Sequence, residues 1–134
     1  MTEENRRFNL QREWAISNEE WEVGQQLEKT GFPRQAVGRH YYCVYHAVKA
    51  ALLSRGFEPA THSGLVSEFH RLFVHTGDLS PTRARALGRL QREREEADYA
   101  AAIQFSPGDA EQARGCAADL RSFVEERLRA EGWL

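Results

Sequence analysis

Between Pro33 and Arg55 the chain reads PRQAVGRHYYCVYHAVKAALLSR. Val37, Tyr41, Val44, Val48 and Leu52 recur there at steps of three and four, with Tyr45 alongside. That spacing puts them on one side of a 3.6-residue helix, and a side so large and apolar has to be buried. A second line, Arg39, Tyr42, His46 and Lys49, runs down the adjacent side at steps of three, four and three. A plain solvent face carries scattered Glu and Lys. Here an arginine, a phenol and an imidazole stand in a row, so any fold must bury the first line and find a use for the second.

The flanking segments read as further helices. Residues 1–8 are polar and expected to be loose. A first helix is expected from about Leu10 to Lys29, with Trp14, Asn18, Trp21 and Leu27 inward and Ile16 and Val23 beside them. Gly31 suits the residue after a helix end, and Pro33 suits the first turn of the next helix. Gly56 is placed to end that second helix. Thr61 can cap a third, about His62 to His75, with Leu65, Phe69, Leu72 and Phe73 on its apolar side. Ser80-Pro81 opens a fourth, about Pro81 to Ala100. Leu87, Leu90, Arg94, Ala97 and Ala101 form its inner line, so an arginine stands where an apolar residue belongs; Asp98, four residues on, can pair with it. Ser106-Pro107 opens a fifth helix that buries Ala113, Cys116, Ala117, Leu120, Phe123, Val124 and Leu128 and stops at Gly132.

No segment shows the apolar-polar alternation of a strand, and no linker or repeat divides the chain. With 134 residues there is enough for one domain with one core. Residues 1–134 therefore read as a single all-α domain, an up-and-down bundle of four to five helices with the second at its centre. A formal net charge of -2 excludes a protein that coats nucleic acid by overall charge, so any RNA contact is local. Cys43 and Cys116 have no paired spacing and read as small buried residues of a reducing compartment. The N-terminus lacks a signal-peptide pattern and no apolar run approaches membrane length. A cytoplasmic location without membrane contact is expected.

The chemistry is narrowed by what is missing. No glutamate has a histidine three residues later, His-Glu-x-x-His is absent, and the five histidines share no ligand spacing, so no metal is expected. Phosphate-binding glycine loops and G-x-S-x-G are absent too, so no cofactor and no covalent nucleophile are expected. What remains is Arg39, Tyr42 and His46 on the second helix with Arg94, Asp98 and Tyr99 on the fourth. Arginine holds phosphate bidentately and histidine moves protons near neutral pH, which together suit phosphodiester chemistry. A structural reading stands beside it: Arg94–Asp98 as an ion pair that fixes register and His46 as a satisfied core imidazole. The run Arg83, Arg85, Arg89, Arg92 reads as a solvated helix face with glutamates nearby, with contact to RNA as the alternative.

The string AVGRHYYCVYHAVKAALL, then THSG with Phe69 and Phe73 after it, then REEADY, resembles the HEPN superfamily, in particular its small stand-alone prokaryotic branch. The likeness runs from about Trp14 to Leu128. It implies a helical bundle that forms a homodimer and works beside a minimal nucleotidyltransferase protein, often as a toxin–antitoxin pair. In many such pairs the HEPN member is a metal-independent endoribonuclease; other members are non-catalytic and bind nucleotides. The family's catalytic motif is Arg, four to six residues, then His on a late helix. Here Arg94 is followed five residues on by Tyr99, and no histidine follows His75. Asp98-Tyr99 is the usual signature of this branch. Arg39 and His46 satisfy the spacing, but on the second helix.

The resulting expectation is a dimer that binds a nucleotide or RNA phosphate through Arg39, Tyr42, Arg94, Asp98 and Tyr99. The first alternative is an endoribonuclease with Arg94 and His46 as catalytic residues. The second is a non-catalytic interaction module.

Overall fold

The computed structural model describes residues 1–134. Five helices account for the fold: α1 (Glu3–Lys29), α2 (Pro33–Ser54), α3 (His62–Phe69), α4 (Pro81–Tyr99) and α5 (Pro107–Ala130). There is no strand. The long helices are joined by short turns, and α2 packs against every other helix. Its inner line is fully enclosed: Val37, Val44, Val48 and Leu52 are inaccessible to solvent and Tyr41 nearly so. The apolar pattern alone dictated this placement, because no other segment offers an apolar arc as wide.

Local chemistry sets most helix ends. Thr61, Ser80 and Ser106 each accept a backbone N–H of the first turn, and Asp109 returns a bond to the Ser106 N–H to complete a capping box. Gly56 adopts φ 82°, a left-handed conformation that lets the Phe57 N–H reach back to the Leu52 carbonyl at 2.9 Å.

Three details depart from the sequence reading. First, α1 begins at Glu3, not near Leu10. Thr2 caps it, Glu3 and Glu4 favour its positive end, and the far end of the chain holds it down. Arg7 donates to the Gly132 carbonyl at 2.9 Å, and the Arg6 and Arg7 guanidiniums lie 5.1 and 4.7 Å from the Trp133 ring centre. Second, the buried line of α1 is Leu10, Trp14, Ser17 and Gly24, whereas Val23 is largely exposed. The two small residues allow α1 to approach α2 closely. Ser17 Oγ donates to the Cys43 carbonyl at 2.7 Å, and the face of Gly24 is filled by the His40 ring. Third, α3 runs into one π-helical turn, His70–Val74, where the His75 N–H bonds the His70 carbonyl at 2.8 Å. The extra residue in that turn lets Phe69, Phe73 and Val74 all face inward.

Candidate functional site

Tyr41 and Tyr42 are consecutive on α2, so their rings leave the helix about 100° apart. Tyr41 points into the core and Tyr42 is half-buried beside it, with their ring centres 5.1 Å apart. Arg94 of α4 reaches over both. Its guanidinium carbon lies 5.4 Å from the Tyr41 ring centre and 5.7 Å from that of Tyr42. Arg39, one turn before Tyr42, lies 5.0 Å from the same Tyr42 ring. Two guanidiniums from two helices thus flank one phenol. Each contact is a cation–π interaction worth roughly 0.5–2 kcal/mol, depending on how dry it is.

Carboxylates hold the pair in place. Arg94 Nη1 donates to Asp98 Oδ2 at 3.1 Å, and Arg39 Nη1 lies 3.1 Å from Glu20 of α1. The side chain of Arg94 is only 12% exposed. Burial opposes its charge, but the bond to Asp98 and the two phenols more than compensate, so it stays charged. Its Nε has no partner. The Tyr42 hydroxyl bonds no group of the protein and is free to donate.

A histidine that the sequence reading did not place here completes the cluster. Tyr41 Oη lies 2.6 Å from Nδ1 of His62, the first residue of α3. The His62 ring stacks on Tyr41 and lies 4.8 Å from the ring centre of Tyr45. Burial pushes the Tyr41 phenol well above its ordinary range, with Arg94 opposing. Burial and the Arg94 charge push the His62 imidazole below its ordinary value, so it stays neutral at pH 7. The site therefore offers a fixed cation, a free phenol and a neutral imidazole, side by side. The signal for His62 was the Thr-His-Ser-Gly string, read as a cap and as part of the family likeness but not as a source of a site residue.

The other nominated residues lie elsewhere. His46 Nδ1 sits 2.6 Å from Glu13 of α1, and Lys49 pairs with the same carboxylate at 3.2 Å. Burial tends to raise the Glu13 carboxyl, but the bonds from His46 and Lys49 outweigh it and hold the group below the usual range. The lower half of the polar line on α2 is thus a clasp to α1. Tyr99 is 80% exposed and follows the outer side of α4, away from Arg94. The structure brings together Arg39, Tyr42, Arg94 and Asp98; His46, one turn beyond Tyr42 on α2, is held by Glu13, and Tyr99 stands out in solvent.

A second clasp fixes the end of α4. Arg34, in the first turn of α2, donates to the Ala97 carbonyl at 2.8 Å and also to the Ile103 carbonyl, and it covers the Phe105 ring at 5.1 Å. A cation at the carbonyl end of a helix opposes the negative pole there. Arg34 therefore holds the turn of α4 that carries Asp98.

The model of the HEPN domain matches residues 12–127, nearly the whole bundle. A "UPF0332 protein" of Thermotoga maritima is 29% identical over 99 residues, which cover 71% of this chain and 75% of that protein. A protein of Methanocaldococcus jannaschii named "Putative toxin MJ0142" is 32% identical over 90 residues, 67% of this chain and 61% of that one. A further "UPF0332 protein", from Pyrococcus horikoshii, is 36% identical over 72 residues, about half of each chain. No helix is long and apolar enough to cross a membrane. From Arg12 to Arg127, through α2 and the arginine-flanked tyrosine it carries, the chain belongs to the HEPN domain family.

Proposed function

We propose that the protein binds the phosphate of a nucleotide or of RNA at the seam where α2 and α4 meet, which we call the cleft. It would act as a homodimer beside a minimal nucleotidyltransferase partner, as one half of a toxin–antitoxin pair. The observation that carries this reading is the Tyr42 ring flanked by Arg39 at 5.0 Å and Arg94 at 5.7 Å. Guanidinium forks recognise phosphate bidentately, and a free phenol adds a further donor for one of its several oxygens. Asp98 and Glu20 hold one nitrogen of each fork and Glu95 stands 3.9 Å from the other terminal nitrogen of Arg94, so an incoming anion competes with them, and affinity should be modest. The name of the Methanocaldococcus jannaschii relative supports the toxin role.

The direct test is stabilisation by ligand. A nucleotide that binds only the folded chain at 100 times its Kd adds about 2.7 kcal/mol. Millimolar AMP, ADP or GTP should raise Tm by several degrees in the wild type and not in Arg94→Gln. Equal shifts in both would end the reading.

A second reading, a metal-independent endoribonuclease, is favoured by one observation: His62 stands against Tyr41 beneath Arg94. A neutral imidazole can take the proton of a ribose 2′-hydroxyl at Nε2 while Tyr41 steadies Nδ1. The 2′-oxygen then attacks phosphorus, the bond to the 5′-oxygen breaks, and that oxygen takes a proton from water, whose hydroxide the proton held by His62 neutralises. The products are a 2′,3′-cyclic phosphate and a 5′-hydroxyl. Here His62 takes the role first considered for His46. RNA incubated with the protein in excess chelator decides it. Cleavage abolished by His62→Ala but retained in His46→Ala supports this arrangement, and intact RNA at high protein concentration rejects it.

A further inference from the structure

The outer side of α4 carries residues that the cleft does not use. Arg85, Arg92 and Tyr99 recur every seven residues, two turns apart, so they form one line along the helix. All three are exposed. From Arg85 to Tyr99 the line spans roughly 21 Å at 1.5 Å per residue. Nearly every arginine of the chain has a carboxylate, carbonyl or aromatic ring for company. On this same helix Arg83 holds Asp119 of α5, and Arg89 holds Glu93 and, on α5, Gln112. Arg85 and Arg92 have none of these.

Gly88 lies between them, and a Cβ built there would meet nothing within 4 Å. A glycine inside a helix costs about 1 kcal/mol against alanine, and no packing requires this one. It leaves the backbone open to close approach from outside. His70, on the π-helical turn, borders the same surface as Arg85, Arg89 and Arg92. The His70 ring makes no hydrogen bond, and that of His75 lies 6.5 Å away between ring centres. The carboxylates of α4 near this side are Glu93, which Arg89 holds at 2.9 Å, Glu95 and Glu96, all between Arg92 and Tyr99 in sequence. They confine phosphate contacts to the stretch from Arg85 to Arg92, and beyond them the exposed Tyr99 ring offers a face instead of a charge.

We infer that the outer side of α4 is a track for single-stranded RNA, with Arg85 and Arg92 on phosphates and Tyr99 stacked on a base. Unpaired cations in line with an exposed aromatic are the elements that hold single strands without reading sequence. The length suits about six nucleotides at the 3.4 Å spacing of a stacked strand. The track rests on the phosphate reading of the protein, and it lies on the side of α4 opposite Arg94. An acidic peptide could meet the arginines but would have no use for Tyr99.

The test is fluorescence anisotropy of a labelled 12-nucleotide RNA across a salt series, with ADP binding measured in parallel by thermal shift. In Arg85→Ala/Arg92→Ala, the slope of log K against log salt should flatten by about 1.4, at about 0.7 per single-strand phosphate. Tyr99→Ala should weaken RNA binding about tenfold with the slope unchanged, and Glu96→Gln should strengthen it. ADP shifts should be unaffected in all three. RNA affinity and slope unchanged in the double variant would overturn the track while leaving the cleft untouched. RNA binding lost in the double variant but ADP shift unchanged in Arg94→Gln would keep the track and remove the cleft. Poly-glutamate that competes as well as RNA, with no effect of Tyr99→Ala, would mean an acidic protein partner and would also overturn it.

Discussion

Arg39 and Arg94 sit on different helices and share one ring, that of Tyr42, at 5.0 and 5.7 Å. Neither guanidinium is held by a buried carboxylate alone, so both keep N–H groups for a ligand. Replacing Tyr42 by Phe retains the ring and removes the free hydroxyl. Stability should stay within about 0.5 kcal/mol, as expected of a surface change that breaks no internal bond. Nucleotide affinity should fall about threefold to tenfold for the lost neutral hydrogen bond. Calorimetric titration of the variant checks both. An unchanged affinity would take the phenol out of the site.

Two glycines on two helices should respond oppositely to the same change. A Cβ at Gly24 would come within 2.7 Å of His40 Cε1 and 2.8 Å of Nδ1. That ring is fully buried and held by Glu28 at 2.6 Å, with Arg114 3.4 Å from the same carboxylate. Gly24→Ala should therefore destabilise by about 1–3 kcal/mol through overpacking, in spite of the better helix propensity of alanine. Gly88→Ala meets open space and should stabilise by roughly 0.5–1 kcal/mol. Urea denaturation of the two variants measures the contrast.

These glycines also show where the sequence was legible. Large residues at regular steps, such as Val37 to Leu52 on α2, announced their side of the helix, and the caps at Thr61, Ser80 and Ser106 announced the ends. Ser17 and Gly24 carry no hydropathy signal, yet they let α1 lie close to α2. The mismatch at Arg94 was visible as a cation on an apolar line, and its pairing with Asp98 followed from four-residue spacing. The Tyr41–His62 bond was not visible, because it joins α2 to the start of a helix beyond a loop. The partner of His46 was not visible for a similar reason: Glu13 lies on another helix, and spacing within α2 says nothing about it.

Acid should destabilise the fold before it protonates most carboxylates. Burial lowers the imidazole of His40, and burial together with Arg94 lowers that of His62, both from an ordinary 6.5. Between those lowered values and about 6.5 the unfolded chain binds more protons than the folded one, so stability rises with pH across that window. It is complete above about 6.5 and lost as pH falls below it. The depressed Glu13 carboxyl adds a second loss further down, below its ordinary 4.5. Tm measured at pH 7.5, 6.5 and 5.5 should fall in that order, and His40→Gln should flatten the change. A Tm that holds or rises on acidification to pH 5.5 would contradict it.

Arg34→Ala should loosen the end of α4. It removes charge-assisted bonds to the Ala97 and Ile103 carbonyls and the cover on Phe105. The expected cost is about 1.5–3 kcal/mol. Arg34→Lys should restore only part of it, because an ammonium cannot present a planar fork to two carbonyls. Hydrogen exchange of the amides from Ala97 to Phe105 should quicken in the alanine variant; unchanged protection there would remove Arg34 from this role.

The decisive measurement is calorimetric titration of ADP into wild type, Arg94→Gln and Arg39→Gln under one low-salt condition. A cleft built by both arginines predicts at least tenfold weaker binding in each variant, with Tm of the free proteins close to wild type for the more exposed Arg39. Wild-type affinity retained in Arg94→Gln would show that phosphate is bound elsewhere or not at all.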